Sequence, residues 1–234
     1  MKTAITHLFA LACIAGTSSA ASVIVTDGDG NAYGDAAGFR IDFDSTTIPV
    51  VTSTEGVNAG ASDWSPALVS GQSYSLDSVS IRYSGAQAVT TPKYVGVYTG
   101  FEAGVLSGFQ GVSNNAVDFA LATSGTWHGF AFSSISLTVD STVGSGSGLL
   151  YFVFQTGTSA VSALETTVGL QRNNGFPGDD QMPVWHSNIL AFGAVQTTRA
   201  AEYQATLTAV PEPSSFALAL GGAGLMIRRR RNRR

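Results

Sequence analysis

The chain holds a single cysteine, Cys13, among 234 residues. A disulfide framework is therefore excluded, and so is thiol chemistry anywhere beyond residue 13. Charge is scarce as well: Asp, Glu, Lys and Arg make up only 12% of the residues, against 44% hydrophobic ones. Basic residues are rarest in the middle. Between Ala21 and Pro213 only Arg40, Arg82, Lys93, Arg172 and Arg199 stand against all sixteen acidic residues, a net charge of −11. A body this acidic repels phosphate backbones, which argues against nucleic acid as a partner; hard cations are better company. Catalytic signatures are missing too. There is no Gly-x-Ser-x-Gly elbow, no His-Glu-x-x-His zinc helix, no Glu-x-Asp-x-x-Glu carboxylate pair and no phosphate-cradling glycine loop opening a helix. With so little to carry chemistry, the expectation is a protein that is not an enzyme and needs no cofactor.

Long uncharged apolar runs occur only at the two ends. At the front, Lys2 precedes the run Leu8–Gly16 (LFALACIAG), followed by Thr17-Ser18-Ser19-Ala20. A positive residue, a short apolar core and small residues at −3 and −1 describe a secretory signal peptide cut after Ala20, with Ala21 nearly as good a cleavage residue. Signal peptidase is thus an expected partner. The alternative of a buried N-terminal helix sits poorly with the β-like stretch Ser22–Thr26 that follows. A lipoprotein reading of Cys13 sits poorly with the Ala10-Leu11-Ala12 before it and the apolar residues after it.

The far end has three parts in order. Pro211-Glu212-Pro213 comes first; its prolines fix φ and remove donors, so the chain there is extended and unpaired, a form that a protease or transpeptidase cleft can grip. Residues 214–227 then form an uncharged apolar helix, with FALALGGAGLMI at its heart. It would span about 21 Å at helical rise, short of the roughly 30 Å of a bilayer core, and Gly221, Gly222 and Gly224 weaken it further. The last seven residues carry six arginines, Arg228, Arg229, Arg230 and Arg231 among them, which positive-inside bias holds in the cytoplasm. A marginal span suits a segment meant to be removed. The alternative is an ordinary tail anchor with accidental prolines.

This trio resembles the PEP-CTERM sorting signal of Gram-negative-type bacteria, carried here by Pro211, Glu212 and Pro213, the apolar helix and the arginine block. The resemblance covers about 25 residues and implies recognition by an exosortase, a membrane cysteine transpeptidase, with cleavage at or near Pro-Glu-Pro. It implies in turn an exported protein anchored for a time in the inner membrane with its body outside the cytoplasm, then released to the cell surface or beyond, often beside exopolysaccharide or biofilm. The chain divides accordingly into a leader (1–20), a body (21–209) and a sorting signal (210–234).

In the body, apolar residues recur at period two. Val79, Ile81 and Tyr83 share one face of Ser78–Tyr83; Trp127, Gly129 and Ala131 oppose His128, Phe130 and Phe132. Tyr94–Thr99, Ile135–Asp140, Thr166–Gln171 and Glu202–Thr208 are further strands, and Leu149–Gln155 (LLYFVFQ) is apolar enough for a central one. Gly144–Gly148 reads as a turn and Arg172–Pro183 as a long polar loop. Many short strands and no amphipathic helix predict an all-β fold, an antiparallel β-sandwich of jelly-roll type.

Two constellations invite ligands. Asp27, Asp29, Asn31 and Asp35 space oxygens as a calcium loop does, although Ala32 and Gly38 break the EF-hand form; a polar turn after the first strand is the plainer reading. Trp64, Trp127 and Trp185 offer rings for stacking on sugars, with His128 and His186 directly after two of them, although packing is the commoner fate of tryptophan in a sandwich. A carbohydrate-binding module and a polysaccharide-acting enzyme are therefore the alternatives to a surface or matrix protein.

Overall fold

Strands form wherever apolar residues alternate, and they pair antiparallel throughout. The computed structural model describes residues 20–25, 32–43, 52–53, 56–57, 68–86, 89–133, 135–139, 148–174, 188–192 and 194–211. The strands are β1 (Ala20–Val25), β2 (Ala32–Ala36), β3 (Gly38–Asp42), β4 (Thr52–Ser53), β5 (Gly56–Val57), β6 (Ser73–Arg82), β7 (Tyr94–Glu102) and β8 (Val105–Val112). They continue as β9 (Trp127–Ala131), β10 (Ser136–Thr138), β11 (Leu149–Gln155), β12 (Val168–Asn174), β13 (Asn188–Ala191), β14 (Ala194–Ala201) and β15 (Tyr203–Ala209). Among the described residues the one helical piece is a 3-10 turn, Phe119–Leu121, where the Asp118 carboxylate accepts from Ala120 N–H. These residues belong to one unit, Ser19–Glu212; the other, Met1–Ser18 with Pro213–Arg234, lies outside them.

Two large sheets result. One runs β1-β15-β6, with β9 and β10 sharing the far edge of β6 in tandem. The other has eight strands in the order β2-β12-β14-β13-β3-β11-β7-β8. Inward-facing residues of both contribute to one buried cluster: Leu76, Val79, Ile81, Ala205 and Leu207 from the first, and Phe39, Ile41, Val97, Phe152 and Phe154 from the second. Aromatic rings bridge the sheets. Phe132 meets Phe152 edge-on at 6.2 Å, Phe130 lies 6.3 Å from Phe154, and Phe119 touches both Phe130 and Phe154. The fold is thus an antiparallel β-sandwich.

The longest strand of the first sheet is kept in phase by a bulge. Tyr74 and Leu76 face the core, then Val79 and Ile81 do, one residue out of step. Pairing with β15 shifts at this point, and Asp77 is the extra residue. Its carboxylate accepts from the Thr208 hydroxyl at 2.6 Å and its carbonyl accepts from Phe132 N–H at 2.8 Å.

The apolar run of β11 is explained by burial on both sides. Leu150, Phe152 and Phe154 face the inter-sheet core; Tyr151 and Val153 join a second cluster with Tyr98, Leu106 and Leu190. The chain after β11 covers that second cluster with Val161 and Leu164. It is stitched down by Leu106 N–H to Ser162 O (3.0 Å), Val161 N–H to the Tyr98 hydroxyl (2.8 Å), and the fully buried Gln155 amide to Gly157 O and Ser159 O. Gly96 makes room for Gln155, since a Cβ there would overlap its Oε1.

Three sequence expectations need correction at their edges. The polar loop does not begin at Arg172, because β12 pairs with β14 as far as Asn174↔Arg199. The strand expected from Glu202 starts at Tyr203. Seven strands that the apolar pattern passed over, β2, β3, β4, β5, β8, β13 and β14, are also present.

Candidate functional site

Three groups of residues were singled out by sequence, and the structure places them differently. The C-terminal signal begins where β15 ends. This strand lies between β1 and β6, paired on both sides from Tyr203 onwards. Ala209 still pairs with Tyr74, and Val210 N–H donates to Ser73 O at 2.8 Å. The Gln72 side-chain amide donates to Val210 O at 2.7 Å and to Ser73 O at 3.0 Å. Pro211, exposed, has no N–H to continue the ladder. Glu212, Pro213, residues 214–227 and the arginines Arg228, Arg229, Arg230 and Arg231 lie outside the described residues. Among the described residues no helix is long and apolar enough to cross a membrane.

The proposed leader junction lies beside this stem. β1 runs antiparallel to β15 with Ala20↔Thr208 and Ala21↔Leu207. Ala20 is exposed, while Ala21 is 1% exposed and belongs to the core. A cut after Ala20 leaves that buried methyl in place; a cut after Ala21 removes it. Ala20 and Thr208 thus lie side by side on neighbouring strands, one paired-strand spacing of about 5 Å apart.

The second group surrounds Trp127. It opens β9 opposite Arg82 and is half-buried; on the same strand Phe130 faces the core. His128, on the core side, packs edge-on against Tyr83 and Phe119 and shares a 2.7 Å hydrogen bond with the Thr126 hydroxyl. Burial holds its pKa below the usual imidazole value. Arg82 donates from Nη1 to Glu202 Oε2 at 3.1 Å and from Nε to Gly125 O at 3.1 Å. The Glu202 side chain has no exposed surface, and its N–H reaches Gln171 O. This seam fastens the end of the first sheet to β12 of the second, helped by the Tyr83↔Leu170 bridge and Ser84 N–H to Gly169 O. Trp64, Trp185 and His186 lie outside the described residues.

The third group is the candidate calcium loop. Asp27, Asp29 and Asn31 lie outside the described residues, between β1 of one sheet and β2 of the other. Asp35 is exposed on β2. Among the described residues no three His, Cys, Asp or Glu side chains gather as a metal site.

One polar site escaped sequence reasoning. Lys93 is 5% exposed, its ammonium donating to the Thr91 hydroxyl at 2.7 Å. Burial lowers its pKa, partly opposed by the charge of Glu165. Burial likewise raises the pKa of Tyr98, with the Val161 hydrogen bond opposing and Glu165 adding to the rise. No sequence signal distinguished Lys93 from a surface lysine before a strand.

Comparison with known proteins bears on the first group. The family model for the PEP-CTERM protein-sorting motif matches residues 209–234. The match starts at Ala209, the last residue of β15, so fold and signal abut without an intervening linker. No curated protein and no solved structure matches the chain. The chain therefore carries the sorting motif of an exported protein handed to an exosortase.

Proposed function

We propose that the protein is a non-enzymatic component of the bacterial surface or extracellular matrix. On this reading the sandwich is cargo, and residues 210–234 are a handle removed near Pro211, Glu212 and Pro213. The leader is cut after Ala20 by signal peptidase. The apolar segment 214–227 then holds the chain in the inner membrane, with the arginine block fixing its orientation, until the exosortase acts. The body is released to the surface or the medium, in association with exopolysaccharide.

The observation that carries this reading is the junction at Val210. The folded ladder ends one residue before Pro-Glu-Pro, and the sorting motif occupies everything after it. Supporting it for a role outside the cytoplasm are the thiol-free body and its acidic surface. The test is a truncation that ends at Ala209. The full-length chain is expected at the cell surface or in the medium, with a membrane-bound precursor. The truncated chain is expected to pass through without that precursor and to change its final location. An unchanged route and destination would overturn the reading.

Trp127 supports a second reading, binding to a glycan. It is half-exposed on the solvent side of β9, with Gly129 and Ala131 following on the same face and Arg82 opposite it on β6. A glycan-binding screen of the body, with and without calcium, is expected to yield a ligand whose binding is lost in Trp127→Ala. No binding, or binding unaffected by that substitution, would count against it.

A further inference from the structure

The last residue before Pro-Glu-Pro is held twice. Val210 uses its N–H on Ser73 O and its C=O on the Gln72 amide. The same amide also donates to Ser73 O, so both protons of one nitrogen are spent on the two carbonyls that meet at this point. Gln72 itself is not free to drift. Its N–H donates to Val69 O, its C=O accepts from Val139 N–H, and Gly71 beside it adopts φ +80 in the turn that leads into β6. The Val210 carbonyl is therefore tied through a side chain to a fixed turn of the body.

A cleft that takes an extended peptide reads it largely through backbone N–H and C=O groups, as an added strand is read. Those of Val210 are occupied by the protein's own fold. Beyond it, Pro211 and Pro213 have no N–H to offer. If the apolar segment begins at Ser214, only three residues lie between the fixed point and the membrane, a reach of about 10 Å fully extended. An enzyme working at Pro-Glu-Pro must therefore accept a stem whose upstream backbone is engaged elsewhere, or wait until it is released.

From this we infer that Gln72 is a latch on the sorting stem: it positions Val210 against the body and slows processing at Pro211–Pro213 until the contact opens. Gln72 touches no reacting atom and acts through Val210. The inference rests on the sorting reading above and adds to it a residue of the cargo that sets the rate of release.

The test uses the full-length chain, pulse-labelled in exporting cells, with the uncut form followed over time. Gln72→Ala is expected to shorten its half-life by about fivefold, the equilibrium weight of one net hydrogen bond. Two variants of similar length separate the latch from general damage to the fold. Gln72→Glu keeps the shape but turns a carboxylate toward two carbonyl oxygens, and is expected to speed cutting like Gln72→Ala. Gln72→Lys keeps a donor of sufficient reach and is expected to restore the slow rate. Equal or slower cutting of Gln72→Ala, or fast cutting of Gln72→Lys alongside it, overturns the latch while leaving the sorting reading intact. A wild-type chain that is never cut overturns both.

Discussion

Glu202 sits with no exposed side-chain surface at the seam between the two sheets, 3.1 Å from the Arg82 guanidinium, whose own side chain is 27% exposed. Withdrawing the cation takes an ion-pair partner from a carboxylate with no exposed surface. Arg82→Ala is expected to cost about 3 kcal/mol of stability, the low end for breaking a buried pair because Arg82 is partly solvated. Replacing both partners at once, Arg82→Met with Glu202→Leu, is expected to cost far less, and thermal or urea unfolding of the three variants checks the ordering. His128 makes a prediction of a different kind. Burial lowers its folded-state pKa, so the unfolded chain takes up a proton that the folded chain resists. Stability is therefore complete above about pH 6.5, the ordinary imidazole value, and falls as pH drops below it toward the lowered folded-state value. Unfolding midpoints measured from pH 7.5 down to 5.5 are expected to decline in the wild type and to decline less in His128→Phe. Equal slopes would remove His128 as the cause.

Among elements, the strands that the sequence disclosed are those whose alternation is unbroken. Val79, Ile81 and Tyr83 declare the second half of β6, but Tyr74 and Leu76 are out of step with them, and the Asp77 bulge that reconciles the two halves has no period-two signature. β11 was legible because both its faces are buried, which only a run such as LLYFVFQ satisfies. β8 was hidden by Gly108 and Gly111, which interrupt its pattern, and by its position at the sheet edge, where most of its residues are exposed. The sorting motif was legible as a segment, since its prolines and arginines carry a local signature. The Gln72 contact was not, because it joins residues 138 positions apart and depends on where β15 stops. β1 carries a prediction of its own. Removing residues 21–25 from the mature chain would strip β15 of a partner from Tyr203 to Leu207 and bare a central strand. Such a chain is expected to unfold at lower temperature and to aggregate, as read by light scattering during a thermal ramp. Unchanged melting would mean that β1 contributes no stability.

For the whole molecule, the arrangement of charge and the placement of the ends fit together. Residues 21–213 carry −11 and the last seven residues +6, so the handle differs from its cargo in both hydropathy and sign. Ala20 and Thr208 pair across neighbouring strands, which brings the leader junction and the sorting stem to one place on the sandwich. On the proposed reading both processing events act on the same corner of the fold, and the product is a body whose two new termini lie next to each other. The measurement that bears most directly on this is the intact mass of the protein recovered from the surface or medium of the cells that make it. The account predicts a chain that starts at Ala21 and stops near Pro211–Pro213, without the apolar segment or any of the arginines from 228 onward. A recovered chain that still ends in Arg234 would contradict it.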